Sequence, residues 1–406
     1  MYVKNQIRTL IPGLVHLVRE NGTVKYLLKK DNKLYIEDYY KSNDKRCTPK
    51  QDLPIKIPGP EILKEPTNVD YIKLLDEIIS FLKSYIELPC PSHYLILALW
   101  ILHTYLIEKF NTTPILCFYG VKETGKSRAG EVLGELAFRC EILTSPTEAT
   151  LFRSAEYFKT ALVVDEVKLW GPEGNQAVAR LINTRYKRGL KVSRVDMNKK
   201  GEDQIEYFDV FGPIVICTTE TVPESLESRC ITFVMQKNVE VGVEKLIDEE
   251  WANRLRNRLT IFRANYLDRD LPQTEHVARR RLNEIMTPLY QTLMVIARER
   301  EDELKKTLGD MEKAREEEEG SSFEAEMAEK IVEYQKDTGE SIILTAEVVE
   351  RLNKGKSQRD EVSMRLVGTR MKRLGFEKTR VADGKRGFKI NADRLARLAG
   401  QFRIDL

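Results

Sequence analysis

Over the first fifty residues, short apolar runs alternate with turn signals. GLVHLV is followed by Asn21-Gly22, TVKYLL by Lys30-Asp31-Asn32-Lys33, and then LYIEDYY. Asn-Gly between alternating apolar runs predicts a hairpin, because the tight turns that match strand twist need residues tolerant of positive φ. Residues 1–56 therefore read as a small β-rich module. IPGPEILKEP (57–66) is punctuated by prolines and opens a linker-and-helix stretch over 57–93. The period then changes: VDYIKLLDEIISFLKSYI and YLILALWILHTYLIEKF both carry helical apolar spacing. From Pro114 to about Met235, strand-like runs alternate with helical segments, the pattern of a mostly parallel sheet covered on both faces. A helical segment containing RRRLNEIMTPLYQTLMVIARERE follows, and residues 298–322 form a charged linker. The last 84 residues read helix, short strand, two helices, two strands around Asp383-Gly384, and a closing helix. That order predicts a winged helix over 323–406.

Composition narrows the class. At 406 residues the chain suits two or three domains, and 42% hydrophobic with 32% charged residues is a globular rather than a disordered balance. The longest apolar run, Tyr94 to Ile107, is too short to span a bilayer and reads as a buried helix. The first residues lack a secretory pattern, so a cytoplasmic protein without membrane contact is expected. Six scattered cysteines with no C-x-x-C pair and four dispersed histidines argue against zinc. A net charge of +3 hides a marked asymmetry. Residues 299–322 hold ten acids against five bases, whereas 359–389 hold ten bases against four acids. The basic end is the candidate for nucleic acid.

The chemistry centres on Gly120-Val121-Lys122-Glu123-Thr124-Gly125-Lys126-Ser127, which matches G-x-x-x-x-G-K-[ST] between an apolar run and a helical pattern. Glycines let successive backbone N–H groups turn inward on phosphates, Lys126 neutralises the β and γ oxygens of ATP, and the Ser127 hydroxyl holds Mg²⁺. ALVVDE, 39 residues beyond Lys126, is an apolar strand ending in two acids. Asp165 is the expected metal partner and Glu166 the base for the attacking water. A third apolar strand, Ile214 to Cys217, ends in Thr218-Thr219; Thr219 is assigned to the nucleophilic water or γ-phosphate, with Thr218 the alternative. Ten residues beyond Thr219, Arg229 stands just ahead of another apolar run.

LWILHTYL, SPTEATLFRS, TALVVDE, VFGPIVICTTETVPESLESRCITFVM and RRRLNEIMTPL together resemble AAA+ proteins. Within them they resemble the minichromosome-maintenance-like helicase modules of mobile-element (plasmid, viral or integrated) primase-helicases. The resemblance covers roughly Tyr94 to Ala297, and it implies an AAA+ ATPase core with a helical lid over 94–297. It implies that Arg229 is an arginine finger acting on a neighbouring subunit's γ-phosphate, and that Arg281, or Arg280, is the lid's sensor 2 arginine. Many relatives carry Asn where this chain has Thr219. The N-terminal 93 residues lack a paired-carboxylate polymerase signature, so primer synthesis would fall to a separate primase.

Two regions are expected to meet DNA. GLKVSRVDMNKKGEDQIEYFDVFGP has two β-type runs around Lys199-Lys200-Gly201, which resembles a pore-lining hairpin whose tip lysines touch the phosphate backbone; a solvated turn is the plainer alternative. In the last domain, Met364, Val367, Met371 and Leu374 share one helical arc as a core face. Arg365, Thr369, Lys372 and Arg373 fall opposite, and the wing adds Lys378, Arg380, Lys385 and Arg386. The expected function is an ATP-dependent DNA helicase or translocase of a replication system. By family analogy it is a homo-oligomeric ring, a hexamer, on single-stranded or forked DNA. The alternatives are an AAA+ initiator or helicase loader that remodels DNA without processive unwinding, and a DNA-recognition protein whose ATPase sets its assembly state.

Overall fold

The computed structural model describes residues 4–42, 45–165, 169, 175–278, 280–320, 322–356, 361–380 and 384–405. The chain has a mixed α/β fold and divides into two compact units, Met1–Leu308 and Gly309–Leu406.

The first unit opens with six strands: β1 (Lys4–Ile7), β2 (Leu14–Glu20), β3 (Thr23–Lys30), β4 (Lys33–Glu37), β5 (Tyr40–Ser42) and β6 (Lys45–Thr48). β2, β3 and β4 form an antiparallel sheet through two tight hairpins, and Asn21, Gly22, Asp31 and Asn32 all have positive φ, as turns of this kind require. A bulge between Leu14 and His16 shifts the register of β2. It puts Leu14 and Leu17 into one small core with Val24 and Tyr26, and Val15 and Val18 into another. The second core contains Ile261 and Ala264 of a helix over Glu249–Tyr266 (α7), so this sheet is packed on both faces. β1, β6 and β5 form a second three-stranded sheet.

Helix α1 (Tyr71–Tyr85) is capped by Asp70, which accepts from the Lys73 N–H. Helix α2 (His93–Thr104) is buried on every side, in keeping with its unbroken apolar run. Then come β7 (Ile115–Tyr119), α3 (Lys126–Leu136), β8 (Cys140–Thr144), α4 (Glu148–Phe158), β9 (Ala161–Asp165), α5 (Gln176–Arg185) and the pair β10 (Lys191–Val195) and β11 (Ile205–Asp209). β12 (Ile214–Thr218), α6 (Glu224–Glu227) and β13 (Cys230–Val234) follow. The central sheet has the order β13-β7-β12-β9-β8 and is parallel throughout, so every strand delivers its carboxyl end to the same edge. α7 (Glu249–Tyr266) and α8 (Arg280–Ile296) complete the helices of the first unit, and α9 (Glu301–Gly320) contains the division between Leu308 and Gly309. The charged stretch expected as a linker is thus helical over most of its length. Among the described residues no helix is long and apolar enough to cross a membrane.

The second unit contains α10 (Phe323–Thr338), β14 (Ile342–Leu344), α11 (Thr345–Asn353), α12 (Met364–Arg373), β15 (Glu377–Arg380), β16 (Arg386–Lys389) and α13 (Ala392–Phe402). Its antiparallel sheet has the order β14-β16-β15, and its helices share one core with Ile343, Phe376 and Phe388. Val367, Met371 and Leu374 enter that core. Met364 does not, contrary to the periodicity: it is 55% exposed, in the first turn of α12.

Candidate functional site

Gly120–Gly125 connects the carboxyl end of β7 to the first turn of α3. The turn closes because Gly125 takes the left-handed conformation (φ 78°), which suits a residue without a Cβ. Gly120 is held by space instead: a Cβ there would lie 2.6 Å from the Met235 carbonyl oxygen. The loop's donors stand at a helix N-terminus, where backbone N–H groups and the helix dipole favour an anion.

Lys126 opens α3 and is only 9% exposed. Its Nζ donates to the Val121 carbonyl and, at 3.3 Å, to Thr124 Oγ1; the Thr124 hydroxyl in turn donates to Val121 at 2.9 Å. Burial lowers the Lys126 pKa below the usual lysine value, against the opposing pull of Cys217 and Asp165. The ammonium is therefore a partly desolvated cation parked on the loop's own oxygens. Val121, Lys122, Glu123 and Ser127 are exposed.

Asp165 ends β9, and its register partner on β12 is Cys217, whose thiol reaches the Lys126 carbonyl at 3.2 Å. α3 lies so close to the sheet that a Cβ on Gly130 would come within 2.8 Å of both Cys217 Sγ and Val163 Cγ1. Gly130 sets the height of Lys126 above the strands, a role invisible in the octet itself. Ser127 and Asp165 offer hard oxygen donors suited to Mg²⁺, and a lysine at a helix N-terminus with a glycine that tolerates no Cβ suit a polyphosphate. The fit is chemical; among the described residues no cluster of three or more His, Cys, Asp or Glu side chains forms a metal cage. Glu166 lies outside the described residues. Thr218 is buried, and its hydroxyl accepts from the Glu220 N–H at 3.0 Å; Thr219 is exposed just past the strand end.

Arg229 and Arg281 stand elsewhere. The Arg229 carbonyl accepts from the N–H of Ile115, the first residue of β7, so Arg229 is at the amino edge of the sheet. Its guanidinium lies 4.8 Å from the centre of the Tyr186 ring and donates to the Ser225 carbonyl; Nε is buried with no hydrogen-bond partner among the described residues. Arg281 meets the same ring at 5.4 Å, donates to the Tyr186 hydroxyl at 2.6 Å and to Glu284 at 2.9 Å. Lys187 binds the other oxygen of Glu284 at 2.8 Å. Arg280 begins α8 with φ 50° and is exposed. The five residues of β7 span about 16 Å, so neither Arg229 nor Arg281 reaches the Gly120–Ser127 loop of its own chain.

β10 and β11 form an antiparallel hairpin with a tip over 196–204. One face packs on α4, with Phe208 against Phe152 at 4.5 Å and Arg194 paired to Glu148. Val195 and Ile205 face each other on the opposite side, which Tyr207 shares, and all three are exposed, as is Met197 nearby. Sequence reasoning noticed the tip lysines and missed this apolar face, although its alternation was there to read. Lys199 is drawn back to Glu206, which raises its pKa, whereas Lys200 is exposed with no ion pair among the described residues.

In the second unit Arg365, Thr369, Lys372, Arg373, Lys378, Arg380, Lys385 and Arg386 are all exposed. Lys372 and Arg386 lie close enough to Lys378 to lower its pKa by like-charge repulsion, Lys372 foremost. α12 and the β15–β16 hairpin thus bring their cations together.

No protein-family model matches the sequence, and no curated protein matches it. Among solved structures, two of the NrS-1 C-terminal region, both described as an A-form apo structure, align with 93% of this chain and with 97% and 96% of their own. Their identity is 15%, with TM-scores of 0.36 and 0.38. An inhibitor-bound JCV helicase aligns over 57% of this chain and 61% of its own, at 16% identity and a TM-score of 0.29.

Proposed function

We propose that the chain binds ATP with Mg²⁺ on the Gly120–Ser127 loop and hydrolyses it within a homo-oligomeric ring, a hexamer, that moves along single-stranded or forked DNA. In this reading the first unit contains a P-loop AAA+ core with α7 and α8 as its lid, and the second is a winged helix. The observation that carries it is the split between the two edges of one sheet: loop, Lys126 and Asp165 at the carboxyl edge, Arg229 and Arg281 at the amino edge. A complete site then requires the carboxyl edge of one copy against the amino edge of the next, a head-to-tail contact that closes as a ring.

Lys126 leaves the loop carbonyl for the β and γ oxygens of ATP. Ser127 and Asp165 would hold Mg²⁺, which when bound would supply charge neutralisation to the phosphates. Glu166 accepts a proton from the attacking water, and the exposed Thr219 hydroxyl orients that water or the γ-phosphate. Arg229 and Arg281 of the neighbouring copy stabilise the charge spreading over the transferred phosphoryl group. Lys199 and Lys200 hold the strand by its phosphates, and Arg365, Lys372, Arg373, Lys385 and Arg386 meet duplex.

The test is a mixture of two dead variants. Lys126→Ala cannot hydrolyse but keeps its arginines; Arg229→Ala keeps its loop but offers no finger, a loss of about 10³ to 10⁵ in rate. In equal mixture, about a quarter of interfaces join an intact loop to an intact finger, so ATPase returns in part. Mixed rings, verified by mass, that stay dead would sink the proposal. Strand displacement on forked DNA decides the motor: ATP-dependent binding without displacement means an initiator or loader instead.

A further inference from the structure

Tyr186 carries no chemistry in the reading above, yet both arginines converge on it. It follows the last turn of α5 and is 5% exposed. Its backbone is pinned from several sides. The Tyr186 carbonyl accepts from the Thr113 N–H at 2.8 Å, and the Arg188 N–H donates to the Asn111 carbonyl at 2.8 Å, both on the segment entering β7. The preceding residue, Arg185, is fully buried and donates to the carbonyls of Thr160 and Pro213, at the amino ends of β9 and β12. The ring therefore stands on a pedestal tied to three strands of the central sheet.

We infer that Tyr186 is a positioning residue that presents Arg229 and Arg281 together to the nucleotide of the next copy. The inference rests on the proposed trans site. Its physical basis is the difference between holding a cation with a ring and holding it with a carboxylate. A carboxylate neutralises the guanidinium that a phosphate will need; an aromatic face attracts it through its quadrupole, leaves the full charge and keeps the N–H edge free to donate. Arg229 keeps its charge in that way, 4.8 Å from the ring centre, with one donor on the neutral Ser225 carbonyl and its Nε buried without a hydrogen-bond partner among the described residues. Arg281 uses the ring and the hydroxyl, and shares Glu284 with Lys187. One guanidinium and an ammonium thus share one carboxylate, and the second guanidinium lies on the same ring, an arrangement that a shared phosphate would complete.

The test uses the full chain. Tyr186→Leu removes the ring and the hydroxyl and should lower kcat for ATP about tenfold with KM unchanged, since its own loop is intact; Tyr186→Phe keeps the ring and should cost about threefold. In an Arg281→Ala background Tyr186→Phe should cost nothing further, because its hydroxyl then has no arginine to hold. Mixed in equal parts with Lys126→Ala, Tyr186→Leu should recover toward about a quarter of the parent rate, and mixed with Arg229→Ala it should not. A parent rate for unmixed Tyr186→Leu overturns the inference, as does an undiminished Tyr186→Phe penalty without Arg281. If Arg229→Ala is rescued by Lys126→Ala and Tyr186→Leu is not, the positioning role alone falls. If neither is rescued, the trans site falls with it.

Discussion

Single residues divide here into those whose role is local and those whose role is contact. Lys126 and Gly125 belong to the first kind: a strand, a glycine-bearing turn and a helix start need only consecutive positions, so the octet could be recognised from its letters. Gly130 belongs to the second. A glycine inside a helix ordinarily weakens it by about 1 kcal/mol relative to alanine, so replacement should help wherever space allows. At Gly134 it nearly does, since a new Cβ would meet the flexible end of the half-exposed Ile142. At Gly130 the Cβ would strike Cys217 and Val163, both buried in the sheet. Gly130→Ala should therefore destabilise by about 1–3 kcal/mol and raise KM for ATP by lifting the first turn of α3, whereas Gly134→Ala should be close to neutral. Denaturation midpoints and ATP titrations of the pair check this; equal stability of the two variants would contradict the packing argument. The choice between Thr218 and Thr219 is similar. Both end the same strand in the sequence, and only burial separates a hydroxyl that caps a turn from one open to solvent.

Elements show the same division. The hairpins of the N-terminal sheet could be read because the turn residues carry the signal themselves. The β10–β11 hairpin could be located too, but the sequence treated its two lysines as equals. Folding pairs Lys199 of the tip with Glu206 on β11, because the turn that starts at Asp196 brings the lysine back beside the start of that strand. Lys200 is the less encumbered cation, so Lys200→Ala should reduce DNA stimulation of the ATPase more than Lys199→Ala. It should also lower the slope of log affinity against log salt, by about 0.7 per lost contact on single strands and about 0.9 on duplex. Binding isotherms at several salt concentrations give the slope, and an unchanged slope in Lys200→Ala returns the tip to a solvated turn. In α12 the periodicity identified Val367, Met371 and Leu374 as core but over-reached at Met364, since period says which face a residue shares and nothing about whether a neighbour covers that turn.

At the scale of the whole molecule, burial of histidines makes stability depend on pH. His103 is fully buried against Phe110 and burial pulls its pKa down to about 3; His16 is held well below 6.5 by burial and by Arg139 and Arg263. The unfolded chain, with histidines near 6.5, binds more protons than the folded one below that pH. Stability is therefore full above about 6.5 and falls on acidification, by up to about 1.4 kcal/mol per pH unit for each such histidine. The thermal midpoint should drop between pH 7 and 5.5, before carboxylates titrate, and should drop less in His103→Phe; parallel curves would show that His103 is not held neutral. The sequence by itself determined what lies within reach of a few consecutive residues: the strand–glycine turn–helix start at Gly120–Ser127, the acidic strand end, the alternation of strands and helices, and the basic bias of the C-terminal segment. Only the tertiary structure decided that Arg229 and Arg281 share one tyrosine, and that they stand at the edge of the sheet away from Lys126 of their own chain. It alone packed the N-terminal sheet against α7. The reason is physical: a turn or a period is specified by neighbours along the chain, whereas which ends of a parallel sheet face each other is specified by the packing of residues a hundred or more positions apart.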